Sequence, residues 1–315
     1  MNHQDEDRIR MTHPAPLTFD RSFDAKAGDV VTMQGSAVPV RRITANNPGA
    51  MTFTGTNSYL VGEDHLAVID PGPEDEDHLA ALMNAIGDAR VEAICITHTH
   101  RDHSPLARQL RALTGAPIIG AAIHQFARSF RPGDAPVDQA VDEDHAPNHV
   151  LSDGQEISYG GVTLEAVATP GHTMNHLCFA IAGENLLFSG DHVMGWSTSL
   201  IAPPDGAMTP YLESLQKLLD RTETRYLPGH GTSIKDGQAY VRALHTHRLG
   251  RDTAILEALE QAPKAIDQLV DALYEGLDAR LRRAAGLSVL AHLERLDALG
   301  LVASPADQTG LWARL

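Results

Sequence analysis

Residues 91–104 read VEAICITHTHRDHS. The first half is apolar and rich in Val and Ile, the composition of a strand buried on both faces. The second half sets His98, His100, Asp102 and His103 within six positions. At an extended strand end, residues two apart face the same side. His98 and His100 can therefore offer imidazole nitrogens to one ion, while Asp102 and His103, after the chain turns into a helix, address a second. Zinc takes imidazole and carboxylate ligands and keeps an open position for water in catalytic sites. One segment cannot complete two such spheres, so further ligands are expected elsewhere.

Outward from this segment, short apolar runs alternate with amphipathic stretches, the pattern of a layered α/β protein. Strands are predicted at 38–44, 57–61, 66–69, 91–97 and 117–120, and a helix at 74–86, opened by Pro71 and Pro73 and closed by Gly87. Residues 129–149 are polar, acidic and without period, and read as a long surface loop. Strands return at 156–159, 162–168, 177–181 and 186–188, followed by a helix at 210–219 and a strand at 225–227. From about Gly237 the composition turns to Leu, Ala, Glu and Arg at helical spacing, ending in a helix at 288–299 and a small hairpin through Pro305, Asp307 and Gly310. The division expected is an extension over 1–35, a catalytic domain over 36–245 and a second domain over 246–315.

The missing ligands are found at Gly-flanked turns beside those strands: His172 in TPGHT, Asp191 in SGD and His230 in LPGHG. Glycine lets the backbone bend tightly enough to aim each side chain inward. Seventeen histidines make an isolated His uninformative; seven ligand types in this order do not arise from composition alone.

The ordered set resembles the metallo-β-lactamase superfamily, whose members use His-x-His-x-Asp-His followed by His, Asp and His. The resemblance implies an αββα sandwich. It also implies one ion held by His98, His100 and His172, a second held by Asp102, His103 and His230, and Asp191 bridging both. Asp70, in VIDPG, matches the superfamily's early Asp beside the site and is expected to orient the ligands. The segments NNPGAMTFTGTNSYLVG, GHTMNH, GDHVMGWSTS and HRLGR look like the beta-lactamase-like protein 2 family, which carries a small, mainly helical, winged-helix-like C-terminal domain.

Two cofactor ions, Zn2+ or alternatively iron or manganese, would lower the pKa of a shared water toward neutrality and hold the resulting hydroxide between them. The reaction expected is hydrolysis of a small ester, thioester or lactam-like substrate, glyoxalase II-like activity included, with Asp102 as general base or acid. Some animal members of the family cleave single-stranded RNA, so a metal-dependent endoribonuclease is the alternative. His176, four residues after His172, is expected at the mouth of the site as a substrate contact, with a structural role as the other reading. His192 is expected to face away, and His247 and Arg251 to share a helix face that could meet a substrate anion. His65, His78, His124 and His292 carry no readable role.

The bulk numbers agree with an ordinary globular enzyme: 315 residues, 43% hydrophobic, 21% charged. A formal charge of −16 opposes whole-surface attraction to nucleic acid or an anionic membrane. Residues 261–315 hold six basic and seven acidic side chains, which is not the basic face of a nucleic-acid-reading winged helix; Arg280, Arg282 and Arg283 form its one basic cluster. Cys95 and Cys178 sit in apolar runs as small buried side chains and exclude a disulfide framework. The acidic start, MNHQDEDRIR, lacks the apolar core of a secretory signal, and no run approaches about 20 apolar residues. A cytoplasmic protein with no membrane partner is expected.

Overall fold

The computed structural model describes residues 19–315 apart from 21, 24, 25, 132, 133, 135–139 and 304–309. Seven strands form the first sheet in chain order: β1 (Val30–Thr32), β2 (Val40–Thr44), β3 (Asn57–Gly62), β4 (His65–Ile69), β5 (Arg90–Ile96), β6 (Ile118–Gly120) and β7 (His149–Val150). The second sheet runs β12 (Arg225–Pro228), β11 (Leu186–Gly190), β10 (Leu177–Ile181), β9 (Val162–Ala168), β8 (Glu156–Tyr159). Strands β4, β5, β6 and β7 are parallel, as are β11 and β12; the remaining neighbours are antiparallel.

The two sheets face each other across a core in which Tyr59, Ile69 and Cys95 of the first meet Phe179, Phe188 and Leu227 of the second. Fully burying such side chains is worth about 1.5–3 kcal/mol each. Helices α1 (Glu76–Ile86) and α2 (Ala107–Thr114) cover the outer face of the first sheet through Leu79, Leu82, Leu106 and Leu110. Helices α3 (Met208–Leu219) and α4 (Gly237–Ala258) cover the second through Tyr211, Leu215, Val241 and Leu244. The architecture is the αββα sandwich that the resemblance implied. Burial on both faces explains why β10 reads as an unbroken apolar run, while β3, buried throughout as well, carries Asn57 and Ser58 at its start.

Beyond α4, α5 (Ile266–Leu273), α6 (Arg282–Ala298) and the hairpin β13 (Val302–Ala303) and β14 (Ala313–Arg314) enclose a separate core around Leu269, Val289, Leu293 and Trp312. The turn through Pro305 and Asp307 lies outside the described residues. No helix among the described residues is long and apolar enough to cross a membrane.

Several boundaries depart from the sequence reading. The first helix opens at Glu76 because the Asp75 side chain accepts the His78 N–H as its N-cap. A single helix, α4, runs through position 245, so no linker separates the two units there. Pairing of β1 with β2 brings residues 30–32 into the first sheet, and most of the extension before them is outside the described residues. Helix α6 begins six residues before the predicted 288, since Gly286 stays helical within it. The stretch 140–148 is partly internal: Asp142 and His145 are buried, Asp142 accepting from Ser104 and Arg108, and Val141 bridges to His100.

Candidate metal centre

Parallel strands end on the same side of their sheet, so the turns that follow them gather there. His98, Asp191 and His230 follow the ends of β5, β11 and β12, and His172 lies in the β9–β10 turn. Asp102 and His103 do not stand on a helix: they lie in a turn closed by the His103 and Ser104 N–H groups on the His100 carbonyl, and α2 opens only at Ala107.

Three groups of three donors gather among the described residues; one, Asp70 with His98 and His103, shares its rings with the other two, which are His98, His100 and His172, and Asp102, His103 and His230. Nδ1 of His100 lies 3.2 Å from Nε2 of His98 and 3.1 Å from Nε2 of His172. In the second group, Oδ2 of Asp102 is 3.3 Å from Nε2 of His103 and 3.2 Å from Nε2 of His230, and the two rings' Nε2 atoms are 3.3 Å apart. Asp191 faces both groups. Its Oδ1 is 3.5 Å from His103 Nε2, and its Oδ2 is 3.3 Å from His230 Nε2 and 3.7 Å from His172 Nε2.

The far nitrogen of each ring decides what the near one offers. His172 Nδ1 donates to the Leu200 carbonyl at 2.7 Å and His230 Nδ1 to the Gly55 carbonyl at 3.2 Å. His100 Nε2 donates to Asp205 and His103 Nδ1 to Asp70, both at 2.9 Å. The Thr97 hydroxyl donates to Asp70 at 2.6 Å, so it must accept from His98 Nδ1. In the neutral rings all five inward nitrogens are then bare lone pairs, converging with carboxylate oxygens and no hydrogen between them. An ion held tetrahedrally at about 2.0–2.1 Å separates its ligands by roughly 3.3 Å, which matches both groups. The residues present therefore fit divalent cations.

Electrostatics agrees. Burial, then the neighbouring imidazoles, hold His98 well below the usual imidazole range; burial and then His100 lower His172. Burial opposes charge on Asp102 and Asp191, yet His103 and His230 beside them keep both well below the usual carboxylate range. The same two carboxylates overcome burial to raise His103 and bring His230 to about 10. They draw positive charge to this point, whether as ring protons or as a cation.

Asp70 accepts the Thr97 N–H as well as the contacts above, and its backbone holds φ 47°, a strained value for a non-glycine residue. His176 is not at the mouth of the site. It is 1% exposed, its Nδ1 engages the Thr169 hydroxyl, and its Nε2 accepts the Asp191 N–H at 3.2 Å. The ring reaches that N–H because Gly190 has no side chain: a Cβ there would stand 2.6 Å from His176 Nε2. His192 is buried against Tyr211. The helix face of His247 and Arg251 is half-buried, and the Arg251 guanidinium lies over the Tyr274 ring, 4.2 Å from its centroid. Arg251 donates to the Leu273 carbonyl, and Arg248 is buried, donating to Ser288 and to the Ser199 carbonyl beside the acceptor of His172.

Asp205 and His124 had no signal in the sequence. Asp205 is buried between His100 and His124, 2.9 Å from a nitrogen of each, and these rings outweigh burial to hold it ionised. Partners of metal-binding imidazoles commonly change metal affinity 10–100-fold. Asp205→Ala should accordingly weaken binding by about that factor in competition with a chelator, and Asp205→Asn, which keeps an acceptor for His100, should recover part of it. Unchanged affinity in the alanine variant would remove Asp205 from the site.

Residues 51–230 match the sequence profile of the metallo-beta-lactamase superfamily. The chain belongs to that superfamily. Residues 265–312 match the beta-lactamase associated winged helix domain, which places that unit after α4. A beta-lactamase-like protein 2 homolog of Drosophila melanogaster is 31% identical over 283 residues, 85% of this chain and 92% of the relative. An atrochrysone carboxyl ACP thioesterase of Aspergillus chevalieri is 31% identical over 260 residues, 78% and 76% of the two chains. The fold is shared with a beta-lactamase domain protein from Burkholderia ambifaria, with a TM-score of 0.75 at 20% identity over 94% of this chain and 97% of that one. The chain is thus a hydrolase of this superfamily, whose fold implies divalent metal binding at the His and Asp groups described.

Proposed function

We propose that the protein is a dinuclear zinc hydrolase acting on small thioester or ester substrates. The observation that carries this reading is Asp191, whose Oδ2 lies 3.3 Å from His230 of one three-donor group and 3.7 Å from His172 of the other, with Oδ1 toward His103. His98, His100 and His172 would hold one ion, Asp102, His103 and His230 the other, and Asp191 would touch both. When bound, two such cations supply a water ionised near neutral pH and positive charge for the developing oxyanion.

The chain's own groups do the rest. Asp70, through His103 and Thr97, and His176, through the Asp191 N–H, keep the ligands aimed. Asp102 is the most solvent-accessible member of its group, with a side chain 26% exposed, and its Oδ2 accepts the Thr56 hydroxyl at 2.9 Å. It is placed to take the proton lost by the attacking water. As the acyl carbon–sulfur or carbon–oxygen bond breaks, that proton passes to the leaving thiolate or alkoxide. The thioester is favoured over other acyl groups by the relative whose name is a thioesterase.

Single-stranded RNA gains no support from the basic cluster: Arg280 is paired with Asp278, and Arg282 with Asp271. A panel of a thioester, a lactone, a β-lactam, a phosphodiester and a single-stranded RNA, offered to zinc-loaded and chelated protein, tests the reading. Zinc-dependent turnover of the thioester is expected. Cleavage of RNA with no thioester turnover would overturn it.

A further inference from the structure

Between β6 and β7 the chain carries three large apolar side chains with open faces: Ile123, Phe126 and Phe130 are 62%, 41% and 53% exposed. Isolated exposed apolar residues are ordinary, but Phe126 and Phe130 pack against each other, Ile123 directly precedes His124 in the chain, and His124 connects the segment to the metal centre. Phe126 meets Phe130 edge-on at 4.9 Å between ring centroids and His124 at 4.8 Å. The His124 ring in turn lies 6.5 Å from that of His100, whose Nδ1 faces the first donor group. Phe126 is thus at most about 11 Å from a candidate ligand.

The segment is fastened on both sides. The Ala127 N–H donates to Pro204, next to Asp205, and Arg128 clasps Asp134 at 2.7 and 2.8 Å. Arg128 and Arg131 also reach Glu294 of α6, at 2.8 and 3.2 Å, so the C-terminal unit holds the apolar rim against the catalytic layer. Both arginines are thereby paired, and what the rim presents is hydrocarbon. Three side chains are too few for a stable protein interface of roughly 800 Å² per partner.

We propose that Ile123, Phe126 and Phe130 form an acyl-binding rim, and that the enzyme takes thioesters or esters whose acyl group is long or aromatic. This rests on the hydrolase reading above and narrows its substrate class. Each methylene buried against such a rim improves binding by about fourfold.

The test compares acetyl and octanoyl thioesters of one thiol on zinc-loaded protein. The wild type should favour octanoyl by about tenfold or more in kcat/KM. Phe126→Ser with Phe130→Ser should reduce the octanoyl-to-acetyl ratio by about the same factor. Phe130→Ser alone keeps the His124 contact of Phe126 and provides a second, milder variant expected to lower the ratio in the same direction. Leu113→Ser, at a 59% exposed position on α2, should leave the ratio unchanged. Turnover of neither thioester sinks the hydrolase reading itself. Turnover of both at a ratio near one, unmoved by the rim variants, overturns the acyl rim alone. A rim variant that changes the oligomeric state and not the ratio assigns the patch to a second copy, and equally overturns it.

Discussion

Asp191→Ala is expected to lower kcat/KM by about 10³-fold or more and to release at least one of two bound ions, with the fold retained. Asp191 is the one candidate ligand with an oxygen toward each donor group. Its removal leaves imidazoles from both groups facing each other without the anion that draws cations between them. A cation in such a site is worth several kcal/mol of transition-state charge, and each 1.36 kcal/mol is tenfold in rate. The Asp191 N–H still reaches His176, so β11 and its turn keep their backbone contacts. The measurements are steady-state kinetics on the zinc-loaded variant, its metal content by emission spectroscopy and its circular dichroism. A variant with two ions and full activity would remove the bridging role.

Gly229→Ala should be almost as damaging for a different reason. The backbone at Gly229 is held by its own N–H on the Gly190 carbonyl and by the Asn57 N–H on its carbonyl. A Cβ added there would stand 2.5 Å from Asp191 Oδ1 and 2.7 Å from His103 Cε1, closer than real Cβ contacts allow. Neither side chain has free room: His103 is buried and tied to Asp70, and Asp191 is enclosed by three imidazoles. The strain must be relieved by moving ligands, and a displacement of about 1 Å near the chemistry can lose about 10²-fold in rate. We expect that loss in kcat/KM with weaker zinc binding measured by chelator competition, while Gly286→Ala, at a helical position of α6 where a Cβ meets only Ile266 Cγ2 at an ordinary 3.6 Å, leaves both nearly unchanged. Wild-type zinc affinity in Gly229→Ala would show that the donor groups are looser than the contacts describe.

The strands were legible because burial on both faces writes itself as continuous apolar runs, and the turns because Gly and Pro punctuate them. His98, His100, Asp102 and His103 stood out by their density at the end of an apolar strand, and His172, Asp191 and His230 because each lies beside a glycine. What escaped was assembled only in three dimensions. Asp205 and His124 are separated by eighty positions and meet through one shared contact, and neither has a motif around it. Residues 140–148 looked like surface because they are polar, yet Asp142 is buried by satisfying Ser104 and Arg108 behind the metal-binding turn. The sequence places His176 four positions after His172, which suits a substrate contact and a structural role alike; the chain there turns into β10, and the ring points inward under Asp191. The helix α4 shows no boundary at 245 because its composition is uniform across that point.

The most direct test is anomalous diffraction at the zinc absorption edge from crystals of zinc-loaded protein. Two peaks are expected, one among His98 Nε2, His100 Nδ1 and His172 Nε2, the other among Asp102, His103 Nε2 and His230 Nε2, with Asp191 within bonding distance of both. A single peak, or peaks away from these side chains, would contradict the dinuclear centre.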